Sequence, residues 1–305
     1  MAVIYNKVNF LEYPKTAIAL GTFDGLHIAH IKIIEKAIEY GKKHNIPHGV
    51  MLFDSIPANS FLKKYTLRLM KPADRNLLLS HLDYIYIQEF NKSFAEKSPE
   101  DFVLYIKNVL KAEFVSVGYN YRFGKGASGD AELLKILCAK EGITVCISEK
   151  TECFGYTVSS TRIRELVSEG NVEEATALLG RNFFLTGRVM KGYRNGHKLG
   201  SPTANLETDA SVVLPACGVY AGICTVEGVA YKCVVNVGDN PTFDGKKITV
   251  ESHLIGFDGE LYGKEIKVEF VKYLRKEIRF TSPAELAKQI AIDIKNTEKE
   301  LMDYE

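Results

Sequence analysis

Short apolar runs alternate with stretches of helical spacing from Ala17 to Ser148, and this alternation constrains the fold more than any other feature. Ala17–Gly21, Gly49–Phe53, Tyr84–Ile87, Phe114–Gly118 and Thr144–Ser148 read as buried strands. Between them, His27–His44, with Ile31, Ile34 and Ile38 at helical spacing, Asp74–Leu82, Pro99–Leu110 and Asp130–Lys140 read as helices. Pro99 falls in a first helical turn, where its missing N–H costs nothing. Strands separated by helices pair in parallel and need helical cover on both faces, which predicts a Rossmann-like α/β domain. Ligands of such sheets bind beyond the carboxyl ends of the strands.

Ser160–Leu179 reads as two short helical pieces broken at Gly170-Asn171. After Arg181 the pattern changes. Phe183–Met190, Gly218–Glu227, Val229–Gly238, Ile248–Gly256 and Glu265–Leu274 read as strands, with turns at Glu227-Gly228 and Asp258-Gly259. Successive strands with tight turns predict an antiparallel sheet or small β-barrel. Ser282, with Glu285 three residues on, has the pattern of a capping box and opens a terminal helix to about Leu301. The expected domains are residues 1–181 and 182–305.

A length of 305 residues suits two domains and a sizeable core without disulfides or a structural metal. Apolar residues at 46% and charged residues at 25% exclude a disordered, collagen-like or coiled-coil chain. A net charge of +1 argues against a nucleic-acid partner. No apolar run approaches the ~20 residues of a membrane span. The N-terminal stretch has no signal-peptide core. The six cysteines form no CxxC pair and have no histidine at zinc spacing, so they read as reduced, mostly buried thiols of a cytoplasmic protein.

The strongest local motif runs from Gly21 through Thr22, Phe23, Asp24, Gly25, Leu26 and His27 to His30. It follows the first strand and opens the first helix, where glycines admit a phosphate and a helix N-terminus attracts one. His27 and His30, three apart, either face one ligand together and hydrogen-bond phosphate oxygens as charge builds, or are ordinary histidines at a turn. Ser159, Ser160 and Thr161 precede a helix carrying Arg162 and Arg164. Hydroxyls there are ordinary N-caps, whereas two nearby guanidinium groups favour an anion. Gly124, Gly126 and Gly129 spell a dinucleotide-type G-x-G-x-x-G, with Glu149 twenty residues on. Five residues separate it from the preceding strand, however, and the fingerprint wants its glycines directly after one. Tyr119, Tyr121 and Phe123 in that loop either stack on a flat ring or pack beneath it.

In the second half, Gly187, Gly192, Gly196 and Gly200 stud a loop, and Pro202-Thr203-Ala204-Asn205 follows. The Thr203 hydroxyl and Asn205 carbonyl are oxygen donors that suit Mg²⁺ beside a nucleotide. Glu251 alternates with apolar neighbours and reads equally as an outward-facing residue or a general base.

The ordered set GTFDGLHIAH, VGYNYRFGKGASG, VSSTRIR, LGSPTAN, LPACGVYAG, NVGDNPTF, VESHL and DGELYG resembles the prokaryotic bifunctional riboflavin kinase/FMN adenylyltransferase (FAD synthetase) family over nearly the whole chain. The resemblance implies an N-terminal nucleotidylyltransferase-type α/β module and a C-terminal six-stranded barrel with a terminal helix. It implies ATP-dependent phosphorylation of riboflavin to FMN, then adenylylation of FMN to FAD with release of pyrophosphate. Glu251 would deprotonate the ribityl hydroxyl, and Thr203 and Asn205 would hold Mg²⁺. Gly192 and Gly200 would lie at the kinase nucleotide. Gly21, Phe23, Asp24 and Gly25 would cradle the second ATP, and His27 and His30 would stabilise its phosphates. Ser160, Thr161 and Arg164 would hold its tail, and Asn120 would lie against the flavin. The partners implied are riboflavin, FMN, FAD and ATP/ADP, with weak self-association, and neither nucleic acid nor a membrane. The chain departs from the family at Ala29 (usually glycine), at Phe53-Asp54-Ser55-Ile56-Pro57 (usually F-x-P-H-P) and at Ser201 (usually phenylalanine). A second reading is therefore a riboflavin kinase whose N-terminal module binds nucleotide or flavin with weakened catalysis.

Overall fold

The five apolar runs of the first half become five parallel strands of one sheet. The computed structural model describes residues 3–6, 12–57, 65–190, 203–242 and 245–303. In chain order the first unit contains β1 (Val3–Asn6), β2 (Thr16–Leu20), α1 (Ile28–His44), β3 (His48–Phe53), α2 (Pro72–Leu78), β4 (Tyr84–Gln88), α3 (Lys92–Ala95), α4 (Pro99–Asn108) and β5 (Ala112–Gly118). It continues with β6 (Arg122–Phe123), β7 (Gly129–Asp130), α5 (Ala131–Lys140), β8 (Thr144–Ser148), β9 (Glu152–Cys153) and β10 (Tyr156–Thr157).

The sheet order is β1-β4-β3-β2-β5-β8. All neighbours from β4 to β8 pair in parallel, and β1 adds an antiparallel edge that the sequence reading did not foresee. The order reverses between β2 and β5, which makes the crevice beyond their carboxyl ends the topological switch point.

On one side of the sheet, Ile18, Leu20, Val115 and Val117 share a core with Phe102, Ile106, Leu134 and Leu137 of α4 and α5. α1 packs on β2, β3 and β5. Its buried residues are Ile33, Ile34, Ala37 and Gly41, so the core face is turned from the expected Ile31–Ile34–Ile38 line, and Ile31 is exposed. Ser98 and Asp101 form a full capping box on α4, with Pro99 in its first turn.

The second unit contains α6 (Ser160–Glu169), α7 (Val172–Leu179), β11 (Phe183–Met190), β12 (Ala204–Leu206), β13 (Gly218–Val226), β14 (Val229–Thr242), β15 (Gly245–Leu254), β16 (Glu265–Arg275) and α8 (Pro283–Glu300). Its strands close into a barrel, β11-β12-β15-β14-β13-β16, antiparallel throughout. Closure removes both sheet edges. By packing, Ser160–Glu305 group with Arg68–Lys71, so α6 and α7 count with the barrel. The cause is α7, which buries Val172, Ala175, Leu178 and Leu179 and packs on β11 and β16, carrying α6 with it. The break between the two helices falls where expected, with Gly170 at φ +84° and Asn171 as the N-cap of α7.

On α8, Ser282 accepts from Glu285 N, but the Glu285 carboxylate turns back to Thr281 instead of completing the box. Arg275 at the end of β16 forms a forked pair with Asp293, at 2.9 and 2.6 Å, pinning α8 to the barrel. None of the six cysteines forms a disulfide, and burial pushes Cys138 and Cys224 up to about 12. Cys146, Cys153 and Cys217 are only partly buried. No helix of the described residues is long and apolar enough to cross a membrane.

Candidate active sites

In the first unit the loop after β2 lies at the switch point. Phe23, Asp24, Leu26 and His27 are buried in it. Phe23, Gly25 and Leu26 all have positive φ, at +47°, +85° and +44°. Glycine takes this conformation freely, but Phe23 and Leu26 hold it only because their side chains are packed. Gly21 serves a steric purpose: a Cβ there would lie 2.9 Å from the Phe23 ring, so the glycine makes room for that ring.

His27 is the N-cap of α1 rather than part of its first turn. Its Nδ1 accepts from His30 N at 3.3 Å. The two imidazoles stack with centroids 3.5 Å apart, and His30 meets the Phe23 ring edge-on at 5.2 Å. The predicted pair is therefore brought together. A neutral imidazole that accepts at Nδ1 carries its proton on Nε2, so His27 caps α1 in that tautomer. Ala29 lies in the same turn and is partly buried.

A cavity of about 850 Å³ opens in this unit, lined by other residues than the loop after β2. Tyr121 and Phe123 line it, together with Phe53, Phe90, Phe94 and Phe102, and both also pack into the core of this unit. Phe53 stands edge-on to Phe90 at 4.9 Å and to Phe94 at 5.6 Å. Six aromatic side chains around this volume suit a flat, conjugated ring system. The loop after β3 reaches the cavity through Pro57, and its Asp54 accepts from Phe90 N at 3.0 Å. Tyr119 and Asn120 are exposed and do not line it. Asn120 sits instead at the end of β5, across the switch point from the loop after β2.

Gly124, Gly126 and Ala127, which has φ +56°, border the cavity within the β6–β7 ribbon. The dinucleotide reading fails here, since the glycines belong to a two-stranded antiparallel ribbon and do not follow a strand of the parallel sheet. Gly129, for example, vacates space for the Phe123 ring, which a Cβ would meet at 2.5 Å.

The resemblance already singled out the Phe53–Pro57 loop, but Phe90, Phe94 and Phe102 carry no such signal, because aromatic residues at strand and helix ends look like core. Sequence reading missed Arg75 as well. This guanidinium is only 4% exposed and donates to Thr22 O at 2.8 Å.

Ser160, Thr161 and Arg164 open α6 and belong by packing to the second unit. Thr161 is exposed, whereas Ser160 and Arg164 are partly buried. Arg162 reaches Glu165 at 3.4 Å.

In the second unit, Thr203 leads into β12, a short strand that the sequence reading treated as loop. Asn205 on β12 stands opposite Glu251 on β15, and Asn236 on β14 flanks Glu251 from the other side. Val250 and Ser252 are fully buried. Glu251 and His253, on the other face of β15, line a cavity of about 270 Å³ with Thr203, Asn236, Arg275 and Glu277. Leu286 and Ile290 of α8 form its apolar wall. Burial raises the Glu251 carboxyl above its ordinary range.

A second cavity, of about 250 Å³, runs along Phe257–Tyr262, and Thr203 lines both. The oxygen donors beside Thr203 include the Asn236 amide and the Glu251 carboxylate, Asn205 lines neither cavity, and no cluster of three or more His, Cys, Asp or Glu poised for a metal exists among the described residues. That donor set fits a hard cation that completes its shell with water and phosphate. Gly187 lies within β11, where its missing side chain admits the Glu207 carbonyl, 2.2 Å from a Cβ position. Gly192 and Gly200 lie outside the described residues.

The FAD synthetase family model matches residues 11–162, and the riboflavin kinase model matches residues 179–301. The chain is 35% identical to the bifunctional riboflavin kinase/FMN adenylyltransferase of Escherichia coli, over 96% of each chain. It is 31% identical to that of Listeria monocytogenes, over 95% of this chain and 97% of the other. A crystal structure from Streptococcus pneumoniae, described as a macrolide-efflux protein, superposes with a TM-score of 0.86 at 30% identity, covering 95% of this chain and 97% of that one. With both modules matched in order and relatives aligned end to end, the chain belongs to the bifunctional riboflavin kinase/FMN adenylyltransferase family.

Proposed function

We propose that the barrel unit phosphorylates riboflavin and that the α/β unit joins the resulting FMN to AMP. The observation that carries the kinase reading is Thr203, which lines both the cavity holding Glu251 and the cavity along Phe257–Tyr262. A nucleotide in the second cavity and a flavin in the first would bring donor and acceptor together at this residue.

In this reading the Glu251 carboxylate takes the proton of the terminal ribityl hydroxyl. The freed oxygen bonds to the γ-phosphorus of ATP, and the bond to the bridging oxygen breaks, releasing ADP. The work is positioning and charge stabilisation, without a covalent enzyme intermediate. Thr203 and Asn205 would hold Mg²⁺, which supplies charge neutralisation when bound.

In the α/β unit the aromatic cavity would grip the isoalloxazine ring of FMN. An FMN phosphate oxygen attacks the α-phosphorus of a second ATP, the α–β bond breaks, and pyrophosphate leaves. His27 and His30 would donate hydrogen bonds to the phosphates at the N-terminus of α1. Gly21, Phe23, Asp24 and Gly25 shape the loop that presents them. On the sequence resemblance, Ser160, Thr161 and Arg164 are assigned to ATP phosphates and Asn120 to the flavin side.

Riboflavin, FMN, FAD, ATP and ADP are the ligands of this scheme. Its setting is the cytoplasm, in keeping with six cysteines that form no disulfide. Replacing Thr203 by valine tests the kinase reading: FMN formation should fall while FMN-to-FAD conversion continues. An unchanged rate of FMN formation would contradict it.

A further inference from the structure

We propose that Arg75 is a positioning residue for adenylyl transfer, tying the nucleotide loop to the wall of the flavin cavity. The inference rests on the adenylyltransferase reading of this unit. Arg75 lies on α2, is buried, and touches backbone at the carboxyl ends of two neighbouring parallel strands. One terminal nitrogen donates to Thr22 O at 2.8 Å, just after β2, and the other lies 3.5 Å from Phe53 O, the last residue of β3.

Each carbonyl belongs to a different half of the reaction. Thr22 directly precedes Phe23, and Phe23 and Leu26 hold positive φ without being glycine. Such backbone persists only when its surroundings over-determine it, and the bond to Thr22 O is one such restraint. Phe53 presents its ring to the cavity, between Phe90 and Phe94. A single planar fork therefore spans the loop that carries His27 and the strand end that carries Phe53. With FMN in the aromatic cavity and ATP at the loop, this spacing would help set the line of attack of the flavin phosphate on the nucleotide α-phosphorus. Misplacement by about 1 Å can cost ~10²-fold in rate. Lysine keeps the charge and most of the length but offers one nitrogen instead of a fork.

The experiment compares full-length wild type, Arg75→Lys and Arg75→Met in adenylyl transfer from ATP to FMN. Riboflavin kinase activity, which uses residues of the other unit, is measured on the same preparations as the gauge of intact protein. A positioning role predicts that both variants lose roughly 10- to 100-fold in kcat, with KM for FMN and ATP within about threefold and the kinase rate unchanged. Wild-type kcat in Arg75→Lys overturns the proposal, because charge alone then suffices. A loss carried wholly by KM also overturns it. Should Arg75→Met lose kinase activity as well, the lysine variant alone decides. Wild type that makes no FAD refutes the adenylyltransferase reading itself, whereas wild type that makes FAD beside an unimpaired lysine variant refutes only the role of Arg75.

Discussion

Asn205 and Glu251 stand opposite each other across the β12–β15 ladder, and Asn236 closes on Glu251 from β14. The buried carboxylate thus has an amide residue as its ladder neighbour on either side. Replacing Glu251 by glutamine keeps the shape and removes the base. FMN formation from riboflavin should fall by roughly 10²–10⁴-fold, the usual contribution of a positioned base. FMN-to-FAD conversion should stay near the wild-type rate, as flavin chromatography of the two reactions would report.

The pH dependence of the kinase follows from the same burial. Desolvation raises the Glu251 carboxyl, so the charged form appears only at a higher pH than for an ordinary glutamate. A base must be deprotonated to work. Kinase kcat/KM should therefore be full above the raised pKa and fall as the pH drops through it, with the acid limb above the ordinary glutamate range. A limb at or below that range would remove Glu251 from the role of base.

The stacked histidines give a prediction for the other unit. His30→Ala should cut FAD formation from FMN by about 10²-fold and leave the kinase intact. His27 has a second task as the N-cap of α1. His27→Asn supplies a good cap without an imidazole, so it should melt like wild type yet lose adenylyl transfer. A His27→Asn protein with full adenylyl transfer would reduce His27 to a cap.

What was legible in the sequence was local. Thr144–Ser148 is a strand over its expected span, and Gly170-Asn171 breaks the helices as turn chemistry requires. The order of motifs gave the family and both catalytic modules. What was hidden depended on partners distant in the chain. β12 is a strand because β11 and β15 offer it ladders on both sides, which no local pattern in Thr203–Leu206 announces. Ile31 has the right spacing for a core position, but α1 turns Ile33 and Ala37 to the sheet instead. Gly21, Gly129 and Gly187 looked like flexible or phosphate-binding glycines, yet each makes room for a named neighbour. Arg75 left no signal, because what it holds is backbone carbonyl oxygen, and any residue supplies that.

The measurement that bears most directly on the whole account is the flavin content of two tubes of purified protein with Mg-ATP, one started from riboflavin and one from FMN. The account predicts FAD in both tubes, with FMN passing through as an intermediate in the first. FMN accumulating in the first and no FAD in the second would contradict it and leave a kinase joined to an α/β unit that binds without transferring AMP.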